Sequence, residues 1–139
     1  MQNYYYSVDN GLIDDIAKAV NGEYTAITCY GQLANMAPTE EIRDRIEEIR
    51  QDEIKHYEIF SQIYSTMTGR APSPQLVEEC APRYRDALLA SFKDEQETVD
   101  FYLDIADRST NPYVREQFKR ASKDEQNHAV WFLFYLSEL

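Results

Sequence analysis

Two histidines and four glutamates carry the chemistry open to this sequence. His56 and His128 are the only histidines in 139 residues, and each follows a glutamate, Glu53 or Glu125, by three positions. The surrounding stretches Asp52-Glu53-Ile54-Lys55-His56 and Asp124-Glu125-Gln126-Asn127-His128 repeat at an offset of 72 residues (125 − 53). Residues i and i+3 share a helix face, so each pair aims a carboxylate and an imidazole at one place. Oxygen and imidazole donors mixed in this way suit Fe or Mn, with Zn as a further candidate.

The elements that position these groups follow from hydrophobic periodicity. Four glycines and five prolines in a chain with long unbroken polar–apolar patterns predict an all-α protein. The spacing predicts helices over about 9–35, 39–67, 83–108 and 112–138, with Asp9, Thr39 and Asn111 as N-caps and Pro112 at a first helical position. In the first helix the stripe Ile16, Ala19, Val20, Ala26, Ile27, Tyr30, Leu33 and Ala34 has Glu23 at its centre. In the third, Leu88, Ser91, Phe92, Thr98, Val99, Tyr102, Ile105 and Ala106 surround Glu95 in the same way. The second and fourth helices carry Glu53 with His56 and Glu125 with His128 inside their apolar seams.

Subtracting 72 superimposes Glu95 on Glu23, Tyr102 on Tyr30, Asn111 on Thr39, Glu125 on Glu53 and His128 on His56. Two similar helical hairpins therefore make one domain, an antiparallel four-helix bundle with a pseudo-twofold axis. If helices two and three run parallel, the connection Thr68 to Pro82 must travel the bundle's length, about 40 Å for a helix of this size. Fifteen residues reach at most about 50 Å, so a crossover is feasible with little slack. That short reach would also allow two chains to exchange hairpins. Within it, Gln75 to Cys80 is expected to form a short helical turn.

Four glutamates and two histidines should thus meet at mid-bundle, where each unpaired carboxylate costs several kcal/mol. Arg50, at the edge of its stripe, is the one basic residue at that level, so a pair of divalent cations is the expected counter-charge. The net charge of −11 excludes nucleic acid and anionic membrane surfaces as partners. No apolar run approaches the length of a membrane span, and the start Met1-Gln2-Asn3-Tyr4-Tyr5-Tyr6 lacks the regions of a signal peptide. Cys29 and Cys80 have no CxxC spacing and suit a reducing compartment, with Cys29 expected as inert core. The cytoplasm is the expected location.

These residues resemble the ferritin-like di-iron carboxylate proteins, in which two helices give one Glu each and the other two give Glu-x-x-His. Within them the chain is most similar to the rubrerythrin-like branch. The resemblance spans Glu23 through His128. It implies two iron ions, Glu53 and Glu125 as bridging ligands, Glu23 and Glu95 as terminal ligands, and His56 and His128 as one imidazole per metal. It implies that Asp52 and Asp124 accept the outer ring N–H of a histidine, and that Tyr30 and Tyr102 hydrogen-bond ligand carboxylates. The activity implied is reduction of hydrogen peroxide or O2 by Fe(II), with ferroxidase or iron-storage behaviour as the alternative. The sequence contains no CxxC pair, so the electron donor implied is a separate protein such as a rubredoxin, and the expected assembly is a homodimer or small homo-oligomer. Rubrerythrin proper has a further glutamate three residues after the third-helix ligand. Thr98 stands there, with Glu97 rotated off the face, which implies a nearly symmetric site.

Overall fold

Capping side chains divide the chain where the periodicity changes phase. The computed structural model describes residues 9–139, so the run Tyr4-Tyr5-Tyr6 lies outside the described residues. Helix α1 (Asn10–Met36) follows Asp9, whose carboxylate accepts from the Gly11 N–H at 2.8 Å. Helix α2 (Glu40–Thr68) follows Thr39, whose hydroxyl accepts from the Ile42 N–H, and Glu40 and Glu41 sit at the positive end of its dipole. Gly69 ends α2 with φ of 76°, a left-handed conformation that costs a residue without a Cβ nothing. Helix α3 (Tyr84–Arg108) begins just past Pro82, and α4 (Pro112–Ser137) is capped by Asn111, which accepts from the Tyr113 and Val114 N–H groups.

The four helices form an all-α bundle in which α1 packs on α2, α3 on α4, α1 on α3 and α2 on α4. Its direction is set by the connection after Gly69. The Gln75 N–H donates to the Asn21 side chain (3.0 Å), the Val77 N–H donates to the Thr25 hydroxyl (3.1 Å), and Cys80 is disulfide-bonded to Cys29. The anchors rise together along α1 (21, 25, 29) and along the connection (75, 77, 80). The connection therefore runs parallel to α1 and delivers α3 at the far end, making α2 and α3 parallel.

Three expectations fail in this segment. Gln75 to Cys80 forms no helical turn, because α1 side chains accept its N–H groups in place of its own carbonyls. Cys29 is no inert core thiol, and the two cysteines are not the reduced pair that their spacing suggested. Cys29 lies half-buried on the face of α1 that the connection covers, which brings Cys80 within bonding distance across 51 residues of sequence. No helix among the described residues is long and apolar enough to cross a membrane.

The apolar interior is split in two. One cluster joins Leu12 and Ile16 of α1, Phe60 and Ile63 of α2, Tyr102 and Ile105 of α3, and Val114 and Phe118 of α4. The other joins Tyr30 and Leu33, Ile46 and Ile49, Ala87 and Leu88, and Phe132 and Tyr135. Each fully buried large side chain contributes roughly 1.5–3 kcal/mol, so both ends are held by oil. Between them lies a polar layer.

Candidate metal centre

That layer consists of the six predicted residues. Glu23, Glu53, His56, Glu95, Glu125 and His128 are each at most 4% exposed. Heptad-like spacing puts them there: Glu23 and Glu95 centre the stripes of α1 and α3, and Glu-x-x-His centres those of α2 and α4. Their ligand atoms form two sets, Glu23–Glu53–His56–Glu125 and Glu53–Glu95–Glu125–His128, each with donor atoms within 4.8 Å of one another. Glu53 and Glu125 belong to both. The buried cluster can hold a metal.

The hydrogen bonds around the layer are crossed between halves. His56 Nε2 lies 2.8 Å from Asp124, and His128 Nε2 lies 2.8 Å from Asp52. Each aspartate accepts the Nε2–H of the histidine on the opposite helix, which leaves Nδ1 as the lone-pair nitrogen of the neutral ring. His56 Nδ1 then faces Glu53 Oε1 at 3.0 Å, Glu23 Oε2 at 3.2 Å and Glu125 Oε1 at 3.5 Å. His128 Nδ1 faces Glu95 Oε2 at 3.2 Å, Glu125 Oε1 at 3.3 Å and Glu53 Oε1 at 3.8 Å. A lone pair surrounded by carboxylate oxygens is repulsive until a cation sits among them. A proton on Nδ1 can serve only one of the three.

The tyrosines are crossed as well. Tyr102 Oη donates to Glu23 Oε2 at 2.5 Å, and Tyr30 Oη donates to Glu95 Oε2 at 2.8 Å. The Tyr102 ring is aimed by edge contacts with Phe60 and Phe118, which stack on each other 4.1 Å apart. Tyr30 leans on Phe132, the repeat equivalent of Phe60. The second oxygen of Glu23 and of Glu95 is thus left over. Glu23, Glu53, Glu95 and Glu125 each keep a buried Oε1 without a hydrogen-bond partner. Four carboxylate oxygens without a partner and two imidazole nitrogens form a donor set that fits a pair of divalent cations.

Protonation shows what the layer does with protons alone. Burial, with repulsion from Glu23 and Glu95, pushes the Glu53 carboxyl up to about 8, and burial pushes Glu125 well above the carboxylate range. Burial would lower the histidines, but hydrogen bonds to Asp124 and Glu23, with the Glu53 carboxylate alongside, outweigh it and raise His56 to about 12. The corresponding bonds to Asp52 and Glu95 raise His128 to about 10. Burial opposes ionisation of Asp124, yet its bond to His56 holds it below the usual range. Burial beside the glutamates keeps both tyrosines neutral donors. Arg50 does not enter the layer: its Nε–H donates to the Ile27 carbonyl at 2.8 Å, over Gly31, where a Cβ would stand 3.3 Å from Nε. Thr98 turns back to the Asp94 carbonyl, and Glu97 is exposed.

No family model matches the chain. It is 51% identical over 133 residues, 96% of its length and 92% of the other's, to the uncharacterized protein YhjR of Bacillus subtilis (strain 168). The chain belongs to the YhjR family. Among solved structures, a hypothetical protein from Pyrococcus furiosus aligns with a TM-score of 0.78 and 19% identity, covering 91% of this chain and 88% of that one. At that identity the likeness shows the bundle fold alone.

The sequence pattern located the six residues and their four hydrogen-bonding neighbours, but not the cavity that reaches them. Between α1 and α3, beneath the connection, a cavity of about 280 Å³ descends to Glu23, Glu53, Glu95 and Glu125. Gly22, immediately before Glu23 in mid-helix, was its one local signal.

Proposed function

We propose that this protein is a ferritin-like di-iron oxidoreductase of the rubrerythrin type that reduces hydrogen peroxide or O2. The observation that carries the reading is the pair of histidine Nδ1 atoms, each turned by a crossed aspartate into a cluster of buried carboxylate oxygens that includes the unpartnered Oε1 atoms of Glu53 and Glu125. Glu23 with His56 and Glu95 with His128 would each hold one iron, and Glu53 and Glu125 would bridge both. Two ferrous ions supply together the two electrons that cleave an O–O bond.

The chain's own residues do the rest. Asp124 and Asp52 fix the ring tautomers and keep the imidazoles oriented. Tyr102 and Tyr30 hold one oxygen of each terminal glutamate, leaving the other free to change its mode of binding. The phenols are neutral and 2.5–2.8 Å from carboxylates, so they can also hold a proton at the layer. A separate protein such as a rubredoxin would return electrons. An exposed apolar stripe on α4, Val130, Leu133 and Phe134, supports assembly with further copies of the chain.

Stopped-flow mixing of the reduced, iron-loaded protein with peroxide or O2 tests the reading. Faster oxidation by peroxide is expected, and equal, slow rates with both would remove the peroxidase assignment. A second reading, iron binding without turnover, draws support from Glu78, Asp94 and Glu97 along the cavity wall, which favour cation entry. Its mark would be a mass of about two dozen subunits after iron loading, against the few expected of a peroxidase.

A further inference from the structure

The cavity between α1 and α3 is far larger than hydrogen peroxide or O2 requires. At 280 Å³ it lies just below the range of about 300–1,000 Å³ for small-molecule sites. Small side chains make the room: Ala19, Gly22 and Ala26 on α1 face Ala87, Ala90 and Ser91 on α3. Gly22 is the informative member. A glycine in a helix interior costs about 1 kcal/mol relative to alanine, and a Cβ there would meet nothing within 4 Å. No neighbour packs against this exposed position, so a side chain added there would stand in the open mouth of the cavity.

The floor and rim state what fits. Glu23, Glu53, Glu95 and Glu125 line the cavity's inner end, with their unpartnered Oε1 atoms closed off from water, while neither histidine lines it. The walls add Phe101 and the alanines. At the rim stand Glu78, Asp94 and Glu97, and the one cation among the lining residues, Lys18, is paired with Asp15 at 3.7 Å. An organic anion would be repelled there, and a compact neutral molecule would not.

We infer that this cavity binds a small uncharged organic hydroperoxide and presents its O–O bond to the carboxylate layer. The inference rests on the peroxidase reading and deepens it. The hydroperoxide takes up two electrons, from two ferrous ions, and two protons. The O–O bond breaks, and alcohol and water leave.

The test uses the full, iron-loaded, reduced protein with tert-butyl hydroperoxide, hydrogen peroxide and a carboxylate-bearing fatty-acid hydroperoxide. Gly22→Ala and Gly22→Leu progressively fill the mouth, and both favour the helix, so folding is retained. Wild type should reduce tert-butyl hydroperoxide within about tenfold of the hydrogen peroxide rate, and the anionic hydroperoxide at least tenfold more slowly than the neutral one. Gly22→Leu should lower the ratio of tert-butyl to hydrogen peroxide rates at least tenfold, with Gly22→Ala between. In the zinc-loaded protein, tert-butanol should shift the amide resonances of Gly22, Ala26 and Ala90, and Gly22→Leu should abolish those shifts. Reduction of hydrogen peroxide alone, or a ratio unmoved by Gly22→Leu, overturns the inference and leaves the peroxidase reading standing. Silence toward every peroxide overturns both.

Discussion

The two long walls of this bundle share one pseudo-symmetric layer but treat it differently. The α2–α4 wall is closed by His56–Asp124 and His128–Asp52, two charged hydrogen bonds of 2.8 Å, and both histidines turn inward. The α1–α3 wall is joined by Tyr102–Glu23 and Tyr30–Glu95, and small residues leave a cavity above the glutamates. The difference teaches a division of labour. One wall orients the nitrogen donors, while the other carries the tyrosine bonds and the cavity lined by the four glutamates.

The strongest way to break the comparison is to remove its shared floor. Glu23→Ala and Glu125→Ala should each abolish loading of at least one metal, read as metal per chain after anaerobic iron addition. Retained two-metal stoichiometry would contradict the ligand assignment.

The next largest effect is on pH dependence without metal. The folded-state pKa values of Glu53 (about 8), His56 (about 12) and His128 (about 10) all lie above their unfolded values. The folded state then binds more protons, so stability falls as pH rises: from about 4.5 to 8 for Glu53, and above about 6.5 for the histidines. Asp124, held below its usual range, opposes this only on the acid side. Thermal unfolding of metal-free protein should therefore drop by roughly 10 °C between pH 5 and pH 8.5. Metal affinity should rise over the same interval, because protons and cations compete for the same oxygens.

The roof of the open wall gives the third prediction. Cys29 and Cys80 close a loop across 51 residues, so reduction should cost about 2–4 kcal/mol in urea unfolding. The smallest change separates the walls themselves. Asp124→Asn should weaken metal binding about 10–100-fold, as loss of an outer carboxylate does. Tyr102→Phe keeps the ring between Phe60 and Phe118 and removes the donor to a buried carboxylate, so it should cost about 1.5–3 kcal/mol in stability while changing metal affinity less than Asp124→Asn does. Equal effects from both would erase the distinction between the walls.

Much of this was legible in the chain. Glu-x-x-His, the 72-residue repeat and the stripes centred on Glu23 and Glu95 predict the bundle and the six converging residues, because burial enforces helical period 3.6. The crossed partners, Asp124 to His56 and Asp52 to His128, are visible only as residue types, since sequence spacing says nothing of which facing helix a side chain meets. The Cys29–Cys80 bond and the extended connection were missed for a related reason. Asn21, Thr25 and Cys29 lie on a face whose covering is a strand-like segment without periodicity of its own. A lone mid-helix glycine carries no volume, so the cavity beside Gly22 became visible only once α3 and the connection were in place.

The split interior has one more consequence. An oily core alone is indifferent to sliding: a helix moved by one turn, 5.4 Å, exchanges one aliphatic contact for another. Here such a slip would drive Glu125 or Glu23 into the aromatic nest around Phe118 or the aliphatic one around Leu33, at a penalty of several kcal/mol. The charged belt thus works as an alignment pin, locking each rod against its neighbours before any ion arrives.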